Sequence, residues 1–441
     1  MIASRQVRSF LIVAVAAFAL AGSAQARDIA QDKAAIDVGL DKNYPHLDAL
    51  YKDIHAHPEL GFQETVTAAK LAKEMRALGF QVTEHVGRTG VVAIYRNGLG
   101  PMVLVRTELD ALPMEEKTGL SYASHAIQTL NGKPTPVAHS CGHDIHMAAW
   151  VGTAQQLLAM KGSWHGTLMF IGQPAEETIG GAEAMLKDGL FARFGKPDIG
   201  FAQHVDQKPY GTISYRAGVK SSNADSLDIT FHGRGGHGAK PNLSIDPVME
   251  AARFTVDVQS IVSREKDPFA FGVITVGSIQ SGSVGNIIPD TAVLYGTIRS
   301  FDGGVREKLM EGIRRTANAV AAMSGAPPPE IKLIQRGKAI INDAAVTART
   351  ETVFKAAFGA KAVLQLLPDA TSEDYSEFII AGVPSLFFAL GGYDPAVIAA
   401  AAAKGQSVPT NHSPYFAPTP EPTIRTGVEA MTLAVLNVMA P

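Results

Sequence analysis

One cysteine, Cys141, is all the thiol chemistry this chain of 441 residues carries, so no disulfide can form within it. Dense runs of Lys or Arg are absent and the formal net charge is only −3. Together these exclude a general binder of nucleic acid or anionic membrane. Internal repeats are absent. The one pronounced apolar stretch, Phe10 to Gly22, falls short of the roughly 20 residues a membrane-crossing helix needs. What remains is ordinary globular usage, 46% hydrophobic and 18% charged. The length is enough for two domains with real cores.

The N-terminus reads as an export signal rather than as part of the fold. Arg5 and Arg8 precede the apolar stretch, and Ala24-Gln25-Ala26 has the small-residue form of a cleavage site. The expectation is a signal peptide over residues 1–26 and an exported, periplasmic or secreted protein, with no membrane association after cleavage. Losing the two arginines takes the formal charge from −3 to −5. Export also sharpens the meaning of Cys141, because an idle thiol outside the cytoplasm is an oxidation hazard. It can be a small buried hydrophobe. With His143 two residues on and acidic partners elsewhere, a thiolate held on a metal is the better use. A Cys/His nucleophilic hydrolase needs a separate base and an orienting third group, and it leaves Glu176 and Glu177 without a role.

Three apolar runs end in metal-binding or proton-transferring groups. Met102 to Val105 leads to Glu108 and Asp110, Leu168 to Ile171 leads to Glu176-Glu177, and Ile199 to Ala202 leads to His204. Between the first two lies His139-Ser140-Cys141-Gly142-His143-Asp144-Ile145-His146. Short buried strands that release polar groups at their C-terminal ends describe the ligand edge of an open parallel sheet.

Helical periodicity marks Leu47 to His55 and Thr65 to Leu78, the latter closed by Gly79 as a C-cap. Val91 to Tyr95 reads as a further strand, and Ile145 to Met160 as a helix opening just after the Cys/His cluster, where its dipole would favour a thiolate. Strands alternate with helices through about residue 216, an α/β layer pattern. The order then changes to strand (226–231), helix (245–263), strands (269–279 and 291–300), helix (305–323) and strand (330–334). That β-α-β-β-α-β series is a split βαβ unit, large enough to fold as a domain. The α/β style returns near residue 336, with a helix over 345–358 and an apolar strand over 385–390. The expected architecture is therefore a larger α/β/α catalytic domain with an open mixed sheet (27–218 and 336–441). A ferredoxin-like α+β lid or dimerisation domain (219–335) interrupts it.

Two divalent ions a few ångströms apart need about five or six protein donors, one of them bridging. The candidates are Cys141, His143, Glu177, His204 and His412, a set suited to zinc, nickel, cobalt or manganese rather than to calcium. Adjacent glutamates solve a further problem. One can hold metal while its neighbour takes a proton from water and passes it to a leaving nitrogen. Asp110 can act behind them by orienting a histidine ligand.

At this point the chain resembles a two-metal amidohydrolase and peptidase family, that of hippurate hydrolases, N-acyl-amino-acid amidohydrolases and plant auxin-conjugate hydrolases. The likeness rests on Arg106-Thr107-Glu108-Leu109-Asp110-Ala111-Leu112-Pro113, on Cys141-Gly142-His143-Asp144-Ile145-His146, on Gln173-Pro174-Ala175-Glu176-Glu177 and on Gly233-Arg234-Gly235-Gly236-His237-Gly238-Ala239. Gly296-Thr297-Ile298-Arg299, Ser372-Glu373-Asp374-Tyr375-Ser376 and Asn411-His412-Ser413-Pro414-Tyr415-Phe416 extend it to nearly all of the chain after the leader. The resemblance implies that Cys141, His143, Glu177, His204 and His412 bind two metal ions, with zinc foremost, and that Glu176 is general base and acid. It also implies that His237 on the inserted unit steadies the oxyanion, in its own site or that of a partner subunit. Asn286 and Arg299 match positions that contact substrate. The glycine-flanked turn around His237 has a plainer use as a flexible turn. Two departures stand out: Glu108 where the family usually has aspartate, and Asn242 where histidine is common.

The expectation is an exported hydrolase that cleaves the amide of N-acyl amino acids or small peptide-like conjugates and pairs as a homodimer or larger homo-oligomer. A metallo-dipeptidase or carboxypeptidase is the near alternative. An exported metal-dependent binding protein for such conjugates is the distant one, because a receptor has no use for the unligated carboxylate of Glu176.

Overall fold

The three apolar runs become neighbours in one eight-stranded sheet. In the computed structural model, which describes residues 28–440, the expected leader at 1–26 lies outside the described residues. Strand Met102–Glu108 sits between Gly166–Gln173 and Ile199–Pro209, parallel to both. Glu108 lies opposite Gln173, so the first two runs end at the same level. Ser385–Tyr393 continues the parallel block beside Ile199–Pro209, with Ala389 opposite His204. Gln81–Val86, Gly90–Asn97 and Ile213–Tyr215 pair antiparallel and Ala362–Leu364 closes the far edge, which makes the sheet mixed.

Helices cover both faces, which is why the central strands read as continuous apolar runs rather than alternating ones. One face packs against Ile29–Ala56, Thr65–Ala77, His143–Ala159, Ala344–Phe358 and Pro420–Met439. The other packs against Gly181–Lys187, Leu190–Phe194 and Ser376–Ile380. Each fully buried Leu, Ile or Phe here is worth roughly 1.5–3 kcal/mol. The first helix is much longer than the periodicity at 47–55 suggests, because it runs through Pro45. An internal proline costs about 3 kcal/mol in a helix, but Ile36 and Leu40 on the earlier turns are fully buried and anchor them.

The inserted unit is a four-stranded antiparallel sheet with its own core. Asn223–His232 lies between Thr291–Ser300 and Glu330–Gly337, and Gly272–Ser281 forms the other edge. Helices Pro247–Asp257 and Gly303–Ser324 bury Leu227, Ile229, Phe231, Ile298 and Ile313 against one face. The helix expected over 245–263 stops at Asp257 and gives way to a wider turn at Ile261–Glu265. The last strand runs on to Gly337, past the expected division after 335. The two chain crossings pair with each other, Gly218–Val219 against Ile341–Asn342.

Candidate metal centre

The C-terminal ends of the parallel strands and the start of helix His143–Ala159 converge on a cavity of about 780 Å³. Cys141, Glu176, Glu177, His204 and His412 line it, and His143 lies behind them, fully buried. His143 Nε2 is 3.8 Å from Glu176 Oε2 and 3.9 Å from Glu177 Oε1. His412 Nε2 is 3.3 Å from Glu177 Oε2, and Cys141 Sγ is 3.3 Å from His204 Nε2. Among the described residues four clusters of His, Cys and carboxylate groups have ligand atoms within 4.8 Å of one another, and Glu177 belongs to two of them, one with Cys141 and His412, the other with His143 and Glu176.

The His143 and His204 rings are turned so that Nδ1 is engaged and Nε2 points toward the other donors. His143 Nδ1 is 2.8 Å from the Asp110 carbonyl and 3.5 Å from Asp110 Oδ1. His204 Nδ1 donates to the Val205 carbonyl at 2.8 Å. Asn411 stitches the donor loops together, donating to the carbonyls of Cys141 and Val205 at 2.9 and 3.1 Å. The His412 backbone N–H donates to the Ser140 carbonyl at 2.8 Å. His412 itself takes a left-handed φ of 67°, an uncommon conformation for a residue with a β-carbon.

Three buried carboxylates grip the loop that carries the two glutamates. Ala175 N–H donates to Glu64 Oε1 at 2.7 Å, Glu177 N–H to Asp110 Oδ2 at 2.9 Å, and Ala182 N–H to Asp374 Oδ2 at 3.0 Å. The loop needs that grip, since Ala175 and Ile179 have φ of 48° and 52°. A β-branched residue such as Ile179 rarely adopts that conformation. Gly181 cannot be larger, because a β-carbon there would meet the Pro174 carbonyl.

The electrostatics favour cations. Burial, then the Glu373, Glu177, Asp374 and Asp110 carboxylates, push Glu176 well above the ordinary carboxylate range. Burial and the Glu177 and Glu176 carboxylates push the Cys141 thiol up as well, so the expected help from the helix dipole is outweighed. Burial works to lower His143, yet the hydrogen bond to Asp110 and the charges of Glu108, Asp110 and Glu177 raise it to about 10. Burial holds His204 well below its usual value, as a neutral imidazole. His143 Nε2, Glu177 Oε1 and Asp110 Oδ1 are buried without hydrogen-bond partners, a costly state for polar atoms. A soft thiolate, three imidazoles and a carboxylate whose free atoms face one another fit divalent ions of the zinc type.

Other acids and histidines nearby are already committed. Glu108 accepts from Arg106 and lies 3.0 Å from His146 Nδ1, whose Nε2 accepts the Val205 N–H at 2.8 Å. The extra methylene of Glu108 thus serves an ion-pair network behind the site. Glu373 accepts from Arg106 Nη2 at 2.6 Å, and Asp374 accepts from Gln173 at 2.5 Å. Asp144 bonds His55 at 2.6 Å instead of entering the cavity. Sequence reasoning missed Glu64 and gave Arg106, Glu373 and Asp374 no role. The last three sit within the matched segments, whereas Glu64 carries no local signal.

The inserted unit contributes unevenly. Arg299 reaches the cavity and donates to Ser372 Oγ of the larger domain at 2.9 Å. His237 and Asn286 do not line it. They sit together on a small ribbon, where Gly236–His237 pairs with Ile287–Ile288 and the Gly238 N–H donates to the Asn286 carbonyl at 2.8 Å. His237 is exposed there. Asn242, in the short turn Pro241–Leu243, is likewise outside the cavity.

Residues 104–437 match the profile of peptidase family M20/M25/M40. The chain is 36% identical over 333 residues to a hippurate hydrolase of Campylobacter jejuni, covering 74% of this chain and 82% of that one. It is 35% identical over 346 residues to thermostable carboxypeptidase 2 of Saccharolobus solfataricus, covering 77% and 84%. Among solved structures, a dinuclear metal-binding peptidase of the M20 family from Bacillus subtilis superposes with a TM-score of 0.73 at 26% identity, over 90% of this chain and 99% of that one. The chain belongs to peptidase family M20/M25/M40.

Proposed function

We infer that this protein is a two-metal hydrolase of the amide bond in N-acyl amino acids, with hippurate-like and N-acetyl amino acids as substrates. The observation that carries the reading is the pair Glu176 and Glu177. Glu177 belongs to two of the donor clusters, while Glu176 faces the same cavity with His143 Nε2 3.8 Å from its carboxylate. Cys141, His143, Glu177, His204 and His412 would hold two divalent ions, zinc foremost, with manganese, nickel or cobalt as alternatives. Ions there would polarise the scissile carbonyl and acidify a water. Glu176 would take a proton from the water that adds to the amide carbonyl and deliver it to the nitrogen as the C–N bond breaks. Asp110 fixes the His143 ring and the Glu177 backbone, and the Arg299 guanidinium meets the substrate carboxylate across the cavity.

His237 and Asn286 lie away from the cavity of their own chain, which supports a contribution in trans from a homodimer. On this reading the inserted unit both closes the site and pairs two subunits. An exported, periplasmic or secreted location rests on the leader sequence. The carboxypeptidase reading uses the same bond and the same residues, and the Saccharolobus relative favours it. Hydrolysis of hippurate, N-acetyl amino acids and dipeptides, with and without added metal, tests the proposal. Metal-dependent release of free amino acid supports it, and binding of these compounds without turnover contradicts it.

A further inference from the structure

The cavity wall built by the inserted sheet carries two arginines, Arg299 and Arg336. Within Asn223–His232, alternate residues face the unit's own helices, namely Leu227, Ile229 and Phe231. Ala224 and Ser226 therefore face the other way, into the cavity. Arg299 lies directly opposite Ala224 on one neighbouring strand. On the other neighbour a bulge falls between Ala224, opposite Gly337, and Asp225, opposite Gln335. The extra residue of that bulge is Arg336. Bulges re-aim side chains, and this one sends Arg336 to the cavity face, where its Nε donates to Ser226 Oγ at 2.7 Å. Both arginines thus flank Ala224, one strand to either side, a separation of about 10 Å between their backbones.

Other charges around this part of the cavity are paired. Asp369 neutralises Lys220, Asp206 neutralises Lys208, and Arg306 neutralises Asp225. Among the described residues neither Arg299 nor Arg336 forms an ion pair, and each guanidinium is tied only to a serine hydroxyl. One cation suffices for the single carboxylate of a hippurate-like substrate. Two leave a second charge to be met.

We propose that the preferred substrates are N-acyl derivatives of dicarboxylic amino acids, with Arg299 on one carboxylate and Arg336 on the other. This rests on the amide-hydrolase reading and names the amino-acid half of its substrate. The adjoining wall supplied by Ile179, Ile340 and Phe387 is apolar and suits the acyl half. Arg336 is exposed on a strand edge, so its replacement leaves the fold intact.

The test compares kcat/KM for N-acetylglutamate and N-acetylalanine in metal-loaded wild type, Arg336→Gln and Arg336→Glu. The wild-type ratio is expected to favour glutamate by about 10- to 100-fold, the worth of one charge-assisted contact. Arg336→Gln brings the ratio toward unity and Arg336→Glu inverts it. A wild-type ratio near unity, or one that Arg336→Gln leaves unchanged, overturns the proposal. Equal losses on both substrates also overturn it, since Arg336 would then serve the carboxylate common to both. If neither substrate is hydrolysed, the amide-hydrolase reading is what fails. Calorimetric binding of glutamate against alanine to wild type and Arg336→Gln then decides the arginine pair, and absence of a glutamate preference sinks it.

Discussion

Glu64 is fully buried and remote from the chain segments that supply metal donors, yet its removal should nearly silence the enzyme. One carboxylate oxygen accepts the Ala175 N–H at 2.7 Å and the other accepts the Thr89 hydroxyl at 2.5 Å. In Glu64→Ala the Ala175 N–H is left buried without a partner, at a cost of about 1–3 kcal/mol. The left-handed Ala175, strained by roughly 1–2 kcal/mol, loses the contact that offsets it. Relaxation of that turn displaces Glu176, the next residue, and a displacement of about 1 Å at a reacting group costs on the order of 10²-fold in rate. Glu64→Gln keeps an oxygen for Ala175 and offers an N–H to the Thr89 hydroxyl, so it should retain most of the turnover. The assay is kcat on hippurate together with metal content and near-ultraviolet circular dichroism for all three proteins. A metal-replete, folded Glu64→Ala with wild-type kcat would refute the argument that this carboxylate positions the loop.

Further outcomes follow from the same geometry. Glu176→Gln should keep fold and metal while losing about 10²- to 10⁴-fold in kcat, because an amide cannot accept the proton; unchanged turnover in metal-replete protein removes Glu176 from its role. Cys141→Ser replaces a soft thiolate with a hydroxyl, so metal should be lost more readily to a chelator and activity restored only in part by excess metal; equal retention after dialysis means Cys141 is not a ligand. His237→Ala mixed with Glu176→Gln should regain activity, because a mixed dimer in which His237 acts in trans holds one intact site; verified mixed dimers without recovery exclude that arrangement. His55 is raised to about 10, its hydrogen bonds to Asp144 and Glu116 prevailing over burial. Its stabilising contribution is full below its ordinary 6.5 and is lost as pH rises through 10. His55→Gln should thus cost about 3–5 kcal/mol near pH 6, with the gap to wild type shrinking at alkaline pH in denaturant titrations; a constant gap contradicts the charged pair.

Much of the frame is legible in the chain because its central strands are buried on both faces and therefore announce themselves as apolar runs with polar endings. Glu108, Glu177 and His204 follow such runs and end up at one sheet edge for that reason. The split βαβ unit is readable for a different reason, since each strand alternates between a helix-covered face and an open one. Short edge strands such as Ile213–Tyr215 and Ala362–Leu364 carry too few residues for a pattern. The first helix was hidden by Pro45, whose local penalty is overcome by packing that a sequence does not display. Glu64 could not be assigned from spacing, because it meets Ala175 across 111 positions of chain. His237 and Asn286 pose the opposite case. Their segments are easily found in sequence, yet within one subunit they stay outside the cavity.

The central claim is that two ions held by this donor set are needed for amide hydrolysis. Its most direct test is to strip the protein with chelator, add Zn²⁺ or Co²⁺ stepwise, and follow both bound metal and release of amino acid from an N-acyl substrate. No turnover is expected without metal, and activity should rise until two ions per subunit are bound. Full activity in metal-free protein, or a plateau reached with a single ion bound, would contradict that claim.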